Sequence, residues 1–142
     1  MYYVYNGRCF IIRKDYIILD KKSVFIDKRA KIGKNVIIYE NCRIEGACEI
    51  EDNITIFPNC FILDSKIGKG TKIYSSIIES SKIGVCCSVG PYCHIKGTKM
   101  SEHVKVGDFS VLKYANIQKN KAISPFSYLF RQKEILKNKK DN

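Results

Sequence analysis

The sequence predicts an all-β fold: a left-handed parallel β-helix of about five coils, with a β-hairpin before it and a short helix after it. Two observations carry this expectation. Every sixth residue from Ile26 is isoleucine, through Ile32, Ile38, Ile44, Ile50, Ile56 and Ile62. Four residues after many of these positions stands a small side chain, as in Val36, Cys42, Cys48, Cys60, Thr71, Cys87, Cys93 and Ser110. A period of six matches neither a helix nor simple strand alternation. It matches a chain that turns a corner after each short strand, so that three sides close a triangular coil of about 18 residues. One aliphatic side chain per side then points inward and stacks on its equivalent one coil away, at the ~4.8 Å spacing of parallel strands. Branched Ile and Val suit such a column.

The elements follow in chain order. Residues 2–5 and 8–13 flank Asn6-Gly7, a strong hairpin signal, and Ile17 to Leu19 can add a strand. Residues 1–22 are therefore expected to cap the open N-terminal end of the coils, whose edges would otherwise be unpaired. Residues 23–123 carry the repeats. The phase slips by one to Ile67 and Ile73 and again to Ile78 and Ile83, then runs through Val89 and Ile95. An excursion from Gly97 to His103 follows; the pattern resumes at Val106 and Leu112 and weakens at Ile117 and Ile123. Gly33, Gly68, Gly84, Gly90 and Gly107 each follow an aliphatic and are expected to supply left-handed corner angles. Asn35, Asp52 and Asn53 are expected to serve other corners. Residues 124–142 are expected to form a helix and a basic tail, with Ser124 as N-cap, Pro125 at the first turn, and Phe126, Leu129 and Phe130 on one face.

Lys and Arg outnumber Asp and Glu by 25 to 14, a net charge of +11. This suits an anionic partner, although the lysines are spread along the chain and the cluster Lys133, Lys137, Lys139, Lys140 reads as a solvated tail. No nucleic-acid motif is present. No apolar run approaches the ~20 residues of a membrane span, and the first residues do not read as a signal peptide; the chain is read as cytoplasmic. Five of the seven cysteines fall in the small inward slot, where a free thiol behaves as a small hydrophobe. Cys86 beside Cys87 is not a metal pair, and neither Cys9 nor Cys86 has a visible role. No metal site is expected.

From about Val24 to Tyr128 the sequence resembles the bacterial family of N-acetylglucosamine-1-phosphate uridyltransferase/glucosamine-1-phosphate acetyltransferase. The stretches that carry the resemblance are IFPNCFILDSKIGKGTKI (56–73), SSIIESSKIG (75–84), SVGPYCHIK (88–96) and VKVGDFSVLKYANI (104–117). The likeness is to the acetyltransferase half of that enzyme. The nucleotidyltransferase half has no counterpart in these residues, so no uridyl transfer is expected. The resemblance implies a homotrimer with sites between subunits and a sugar phosphate held by an Arg and a Lys. Here Lys96 stands for the Arg, losing its bidentate fork, and Lys113 keeps the Lys. The family's general-base His, in K-x-x-H-L-x-Y, falls on Pro125, while Tyr128 matches the motif's Tyr. The later coils that bind coenzyme A in the family have no match either.

Two readings stay open. One is a non-catalytic or weakly catalytic trimer binding a sugar phosphate or a partner chain, such as a separate nucleotidyltransferase. The other is an acetyl-CoA-dependent acyltransferase on a phosphorylated amino sugar, with Lys96, Lys113 and Tyr128 holding the substrate and His94 or His103 as base. Loss of a general base commonly costs ~10²–10⁴ in rate, which favours the first. The two histidines fall short of the three protein ligands that a hydrating zinc requires.

Overall fold

A computed structural model describes residues 2–5, 7–12 and 15–131. The described chain is a left-handed parallel β-helix bounded by three sheets, here called A, B and C. The hairpin is present: β1 (Tyr2–Tyr5) lies antiparallel to β2 (Arg8–Ile12), with Tyr5 opposite Arg8. β2 in turn lies antiparallel to β3 (Tyr16–Ile18), which opens the parallel stack of sheet A. The hairpin thus lengthens sheet A at its first edge. Inward Val24, Ile26, Ala30 and Ile32 of the first coil are half-buried.

Sheet A continues through Val36–Ile38, Thr55–Ile56, Lys72–Ile73, Ser88–Val89, Lys105–Val106 and Ala122–Ile123. Sheet B runs Phe25–Ile26, Arg43–Glu45, Phe61–Leu63, Ile77–Glu79, His94–Lys96, Val111–Lys113 and Tyr128–Phe130. Sheet C runs Lys31–Ile32, Glu49–Ile50, Lys66–Ile67, Lys82–Ile83, Lys99–Met100 and Asn116–Ile117. These strands make about seven turns, not the five expected. Two misread segments account for the difference. Gly97 to His103 is no excursion: Thr98 and Met100 fill the small and aliphatic slots of an ordinary sheet C side, both 2% exposed. Methionine in place of isoleucine, on a side one residue short, hid the repeat. Nor do residues 124–130 begin a helix. Tyr128–Phe130 pairs in parallel with Val111–Lys113 and continues sheet B. Its inward slots are filled by half-buried Ser127 and Leu129, so the Ser-Pro start marks a solenoid corner. The rest of the expected helix and tail, 132–142, lies outside the described residues.

The interior is the predicted column. Ile38, Ile44, Ile56, Ile62, Ile67, Ile73, Ile78 and Ile95 are fully buried, each burial stabilising by roughly 1.5–3 kcal/mol. All eight expected small-slot residues are buried, including Cys42, Cys48, Cys60, Cys87 and Cys93. The thiols are free and donate to backbone carbonyls, Cys93 to Gly107 O at 3.1 Å and Cys87 to Ser101 O at 3.2 Å. Burial pushes the Cys48, Cys87 and Cys93 thiols up from the ordinary range, which keeps them protonated and inert.

Three columns of left-handed residues make the corners. Between A and B stand Asn41, Asn59, Ser75, Tyr92, Phe109 and Phe126; between B and C, Gly46, Asp64, Ser80, Gly97, Tyr114 and Arg131; between C and A, Asn35, Asn53, Gly70, Cys86, His103 and Asn120. Asn35 and Asn53 are corner residues as expected, and Cys86 acquires a place it lacked in the sequence. The glycine expectation is corrected. Gly90 is left-handed, but Gly33, Gly68, Gly84 and Gly107 are not. At Gly68 and Gly84 a Cβ would lie 2.6 Å from the backbone of the next coil. These positions need glycine for close approach between coils.

The coils differ in circumference. Counted along sheet A, the repeat is eighteen residues from Ile38 to Ile56, seventeen to Ile73, sixteen to Val89, then seventeen to Val106 and to Ile123. The prism has a waist at its fourth coil, where the small slots hold Ser76, Ser81 and Cys87. Among the described residues no helix is long and apolar enough to cross a membrane.

Candidate functional site

Alternation along each sheet B strand sends its middle residue inward and its two ends outward. Ile95, Leu112 and Leu129 point into the core, so His94, Lys96, Val111, Lys113, Tyr128 and Phe130 share one outer face. Register sets their order. Lys96 lies beside Lys113, and His94 lies in line with Val111 and then Tyr128. Four of the expected site residues, His94, Lys96, Lys113 and Tyr128, therefore meet on this face although they span 35 positions of sequence.

The next rung adds a residue that sequence reasoning missed. Glu79 precedes Lys96 in register, and its Oε2 lies 2.5 Å from His94 Nε2. The pair is partly shielded, with side chains 34% and 23% exposed for His94 and Glu79. A carboxylate so placed fixes the ring and favours the tautomer with hydrogen on Nε2, leaving Nδ1 as the basic nitrogen. The column Glu79, Lys96, Lys113 is tied together at its corner end. Gly97 N–H donates to Glu79 O at 3.0 Å, Tyr114 N–H to Lys96 O at 2.8 Å, and Arg131 N–H to Lys113 O at 2.8 Å.

Both lysines are half-buried, and among the described residues neither makes an ion pair. Two ammonium groups on adjacent rungs, unneutralised, are a destabilising arrangement in isolation and a favourable one for an anion. Aromatic groups border them. The Tyr114 ring covers Gly97, where a Cβ would come within 2.5 Å of it, and meets Phe130 edge-on at 6.1 Å. The Arg131 guanidinium lies 5.2 Å from the Phe130 ring centre. Arg131 was not a candidate because its stretch was expected to be helical; as a corner residue it brings a planar fork next to the strand that ends in Lys113.

The other two candidates are elsewhere. His103 is an exposed corner residue between sheets C and A. Pro125 is exposed at the corner between A and B, just before left-handed Phe126. Among the described residues no group of three or more His, Cys, Asp or Glu is placed to hold a metal ion.

The profile of the GMPPB C-terminal domain matches residues 13–135. The protein "Bifunctional protein GlmU" of Heliobacterium modesticaldum is 38% identical over 113 residues, which is 79% of this chain and 25% of that one. The protein of the same name from Carboxydothermus hydrogenoformans is 31% identical over 120 residues, 84% of this chain and 27% of that one. The chain thus spans about a quarter of the length of the curated relatives it matches. Among solved structures, the acetyltransferase domain of PglB from Neisseria gonorrhoeae in complex with acetyl coenzyme A aligns at 13% identity and a TM-score of 0.39, covering 78% of this chain and 54% of that one. A hexapeptide transferase family protein from Anaplasma phagocytophilum aligns at 13% identity and a TM-score of 0.29, covering 91% and 77%.

Proposed function

Because the chain belongs to the GMPPB C-terminal domain family, we propose that it works as a trimeric β-helix, non-catalytic or weakly catalytic, that binds a sugar phosphate on the outer face of sheet B. The observation that supports this reading is the in-register pair Lys96 and Lys113, half-buried, with the neighbouring Glu79 carboxylate turned to His94. Arg131 supplies a bidentate donor that partly replaces the one lost where Lys96 stands for an arginine. Tyr114, Tyr128 and Phe130 offer apolar surface to a sugar ring. The exposed Pro125 carries no basic atom. A homotrimer brings this face of one copy against the next, and a separate nucleotidyltransferase chain is the partner this reading predicts. Titration with glucosamine-1-phosphate, followed by calorimetry, tests the ligand. Saturable binding weakened at least tenfold by Lys113→Ala is the expected result; no binding at millimolar concentration removes the proposal. Light scattering tests the trimer.

One observation favours a second reading, an acetyl-CoA-dependent acyltransferase acting on a phosphorylated amino sugar. The Glu79–His94 pair sits beside Lys96 and would deprotonate an amine held there through Nδ1. The assay is acetyl transfer to glucosamine-1-phosphate with the product confirmed by mass. Turnover that falls ~10²-fold or more in His94→Ala supports this reading. Turnover indifferent to His94 rules it out.

A further inference from the structure

Sheet C carries a second cationic feature, separated from the lysines of sheet B by the Gly97–Tyr114 corner. Its outward positions in register are Lys31, Glu49, Lys66, Lys82, Lys99 and Asn116. At the start of the column the charges alternate. Lys66 Nζ lies 3.7 Å from Glu49 and 3.9 Å from Glu51. Past Lys66 the acidic residues stop. Lys82 and Lys99 are exposed, occupy neighbouring rungs, and have no ion pair among the described residues. Like charges directly opposite on adjacent strands are destabilising.

The unneutralised rungs border a groove of about 550 Å³. The short side chain of Ala47 leaves room along it, and Ser80 and Asn116 bring polar groups to its walls. Two carboxylates also line it: Glu49 pairs with Lys66, and Asp64 accepts the Ala47 N–H at 3.0 Å and is committed to the corner.

We propose that the Lys66–Lys82–Lys99 strip is a binding site for an oligophosphate group, a linear run of two or three phosphates such as a nucleoside diphosphate or triphosphate carries. Three ammonium groups on three rungs, two strand spacings apart in all, cover only ~10 Å. That length suits a short oligophosphate. A nucleic acid held through its backbone uses a longer track, and its salt dependence reports the number of phosphates neutralised. The strip is distinct from the proposed sugar-phosphate face, so either can fail without the other.

The test is binding of inorganic tripolyphosphate to the full chain, measured by calorimetry at several salt concentrations. Saturable binding is expected, weakened at least tenfold in Lys82→Met/Lys99→Met and retained in Lys82→Arg/Lys99→Arg. Lys96→Met/Lys113→Met is expected to change it less than twofold. All these side chains point outward, and circular dichroism checks that each variant keeps its fold. Absence of saturable binding at millimolar tripolyphosphate overturns the proposal. Loss of binding in the Lys96/Lys113 variant instead overturns it in favour of the sheet B face. Tighter binding of single-stranded RNA or DNA, with a salt slope above about three, overturns it in favour of a nucleic acid.

Discussion

A thiol and a hydroxyl are near-equivalents in the small inward column. Cys42, Cys60, Ser76, Cys93 and Ser110 follow one another up the A-to-B corners, all buried. Cys93 donates to Gly107 O and Ser110 to Ser124 O at 3.1 Å each, so a serine at 93 finds its acceptor already placed. Cys93→Ser is expected to cost less than ~1.5 kcal/mol, and Cys93→Leu more than ~2 kcal/mol through overpacking; urea denaturation separates the two. In a Cys9→Ser background, exposed Cys86 is expected to react quickly with a thiol reagent in the native state, and Cys86→Ser to remove that fast phase while the buried thiols stay silent. At Gly84 an added methyl would press on the Ser101 carbonyl carbon. Gly84→Ala is expected to lose ~2 kcal/mol, read as a fall in the melting temperature. The sequence showed that these glycines matter but not why. Close approach and a left-handed angle both select glycine, and only the neighbouring coil distinguishes them.

At the scale of single strands, the isoleucine period was legible because each early side holds six residues and the same side chain. Legibility failed where a side held five residues and a different one. The Lys99–Met100 strand is the instructive case. Met100 is buried between Ile83 and Ile117 on adjoining rungs, so Met100→Asp is expected to destabilise by ~3 kcal/mol or more by burying an unpaired charge. A loop there would have tolerated the change, and a thermal melt decides. The Ser-Pro signal at 124 failed for a related reason. It is compatible with a helix start, but the same pair suits a corner whose following residue, Phe126, takes φ of 61°. Parallel pairing with Val111–Lys113 then outweighs local helix preference.

For the whole molecule, the coil register is what assembled the candidate site. Lys96, Lys113 and Tyr128 were found by motif, and the seventeen-residue coil brings them to one face. The Glu79–His94 contact and Arg131 were not legible. The first is a diagonal side-chain contact between neighbouring rungs, which register alone does not show, and the second depends on knowing that Tyr128–Phe130 continues sheet B. Coils stacked in one dimension also share stability unequally. Ile26, Ile123 and Leu129, in the outermost coils, are only partly buried, whereas the inward isoleucines from Ile44 to Ile95 are sealed. Hydrogen exchange is expected to run slowest at the amides of the middle coils and faster toward both ends, by an order of magnitude or more. Uniform protection would show instead that the solenoid opens as one unit.

The waist has a consequence for lengthening the molecule. A rod of constant girth could be extended by copying any coil. Here the perimeter changes by no more than one residue between successive turns from Ile38 to Ile123, so a copied coil must come within one residue of both neighbours. A tandem copy of residues 90–106 places one seventeen-residue turn against another and is expected to yield a soluble, longer prism. A copy of the eighteen-residue turn 39–56 set after residue 89 puts eighteen residues directly against sixteen, a step of two that the stack nowhere takes between Ile38 and Ile123, and that chain is expected to melt at a lower temperature.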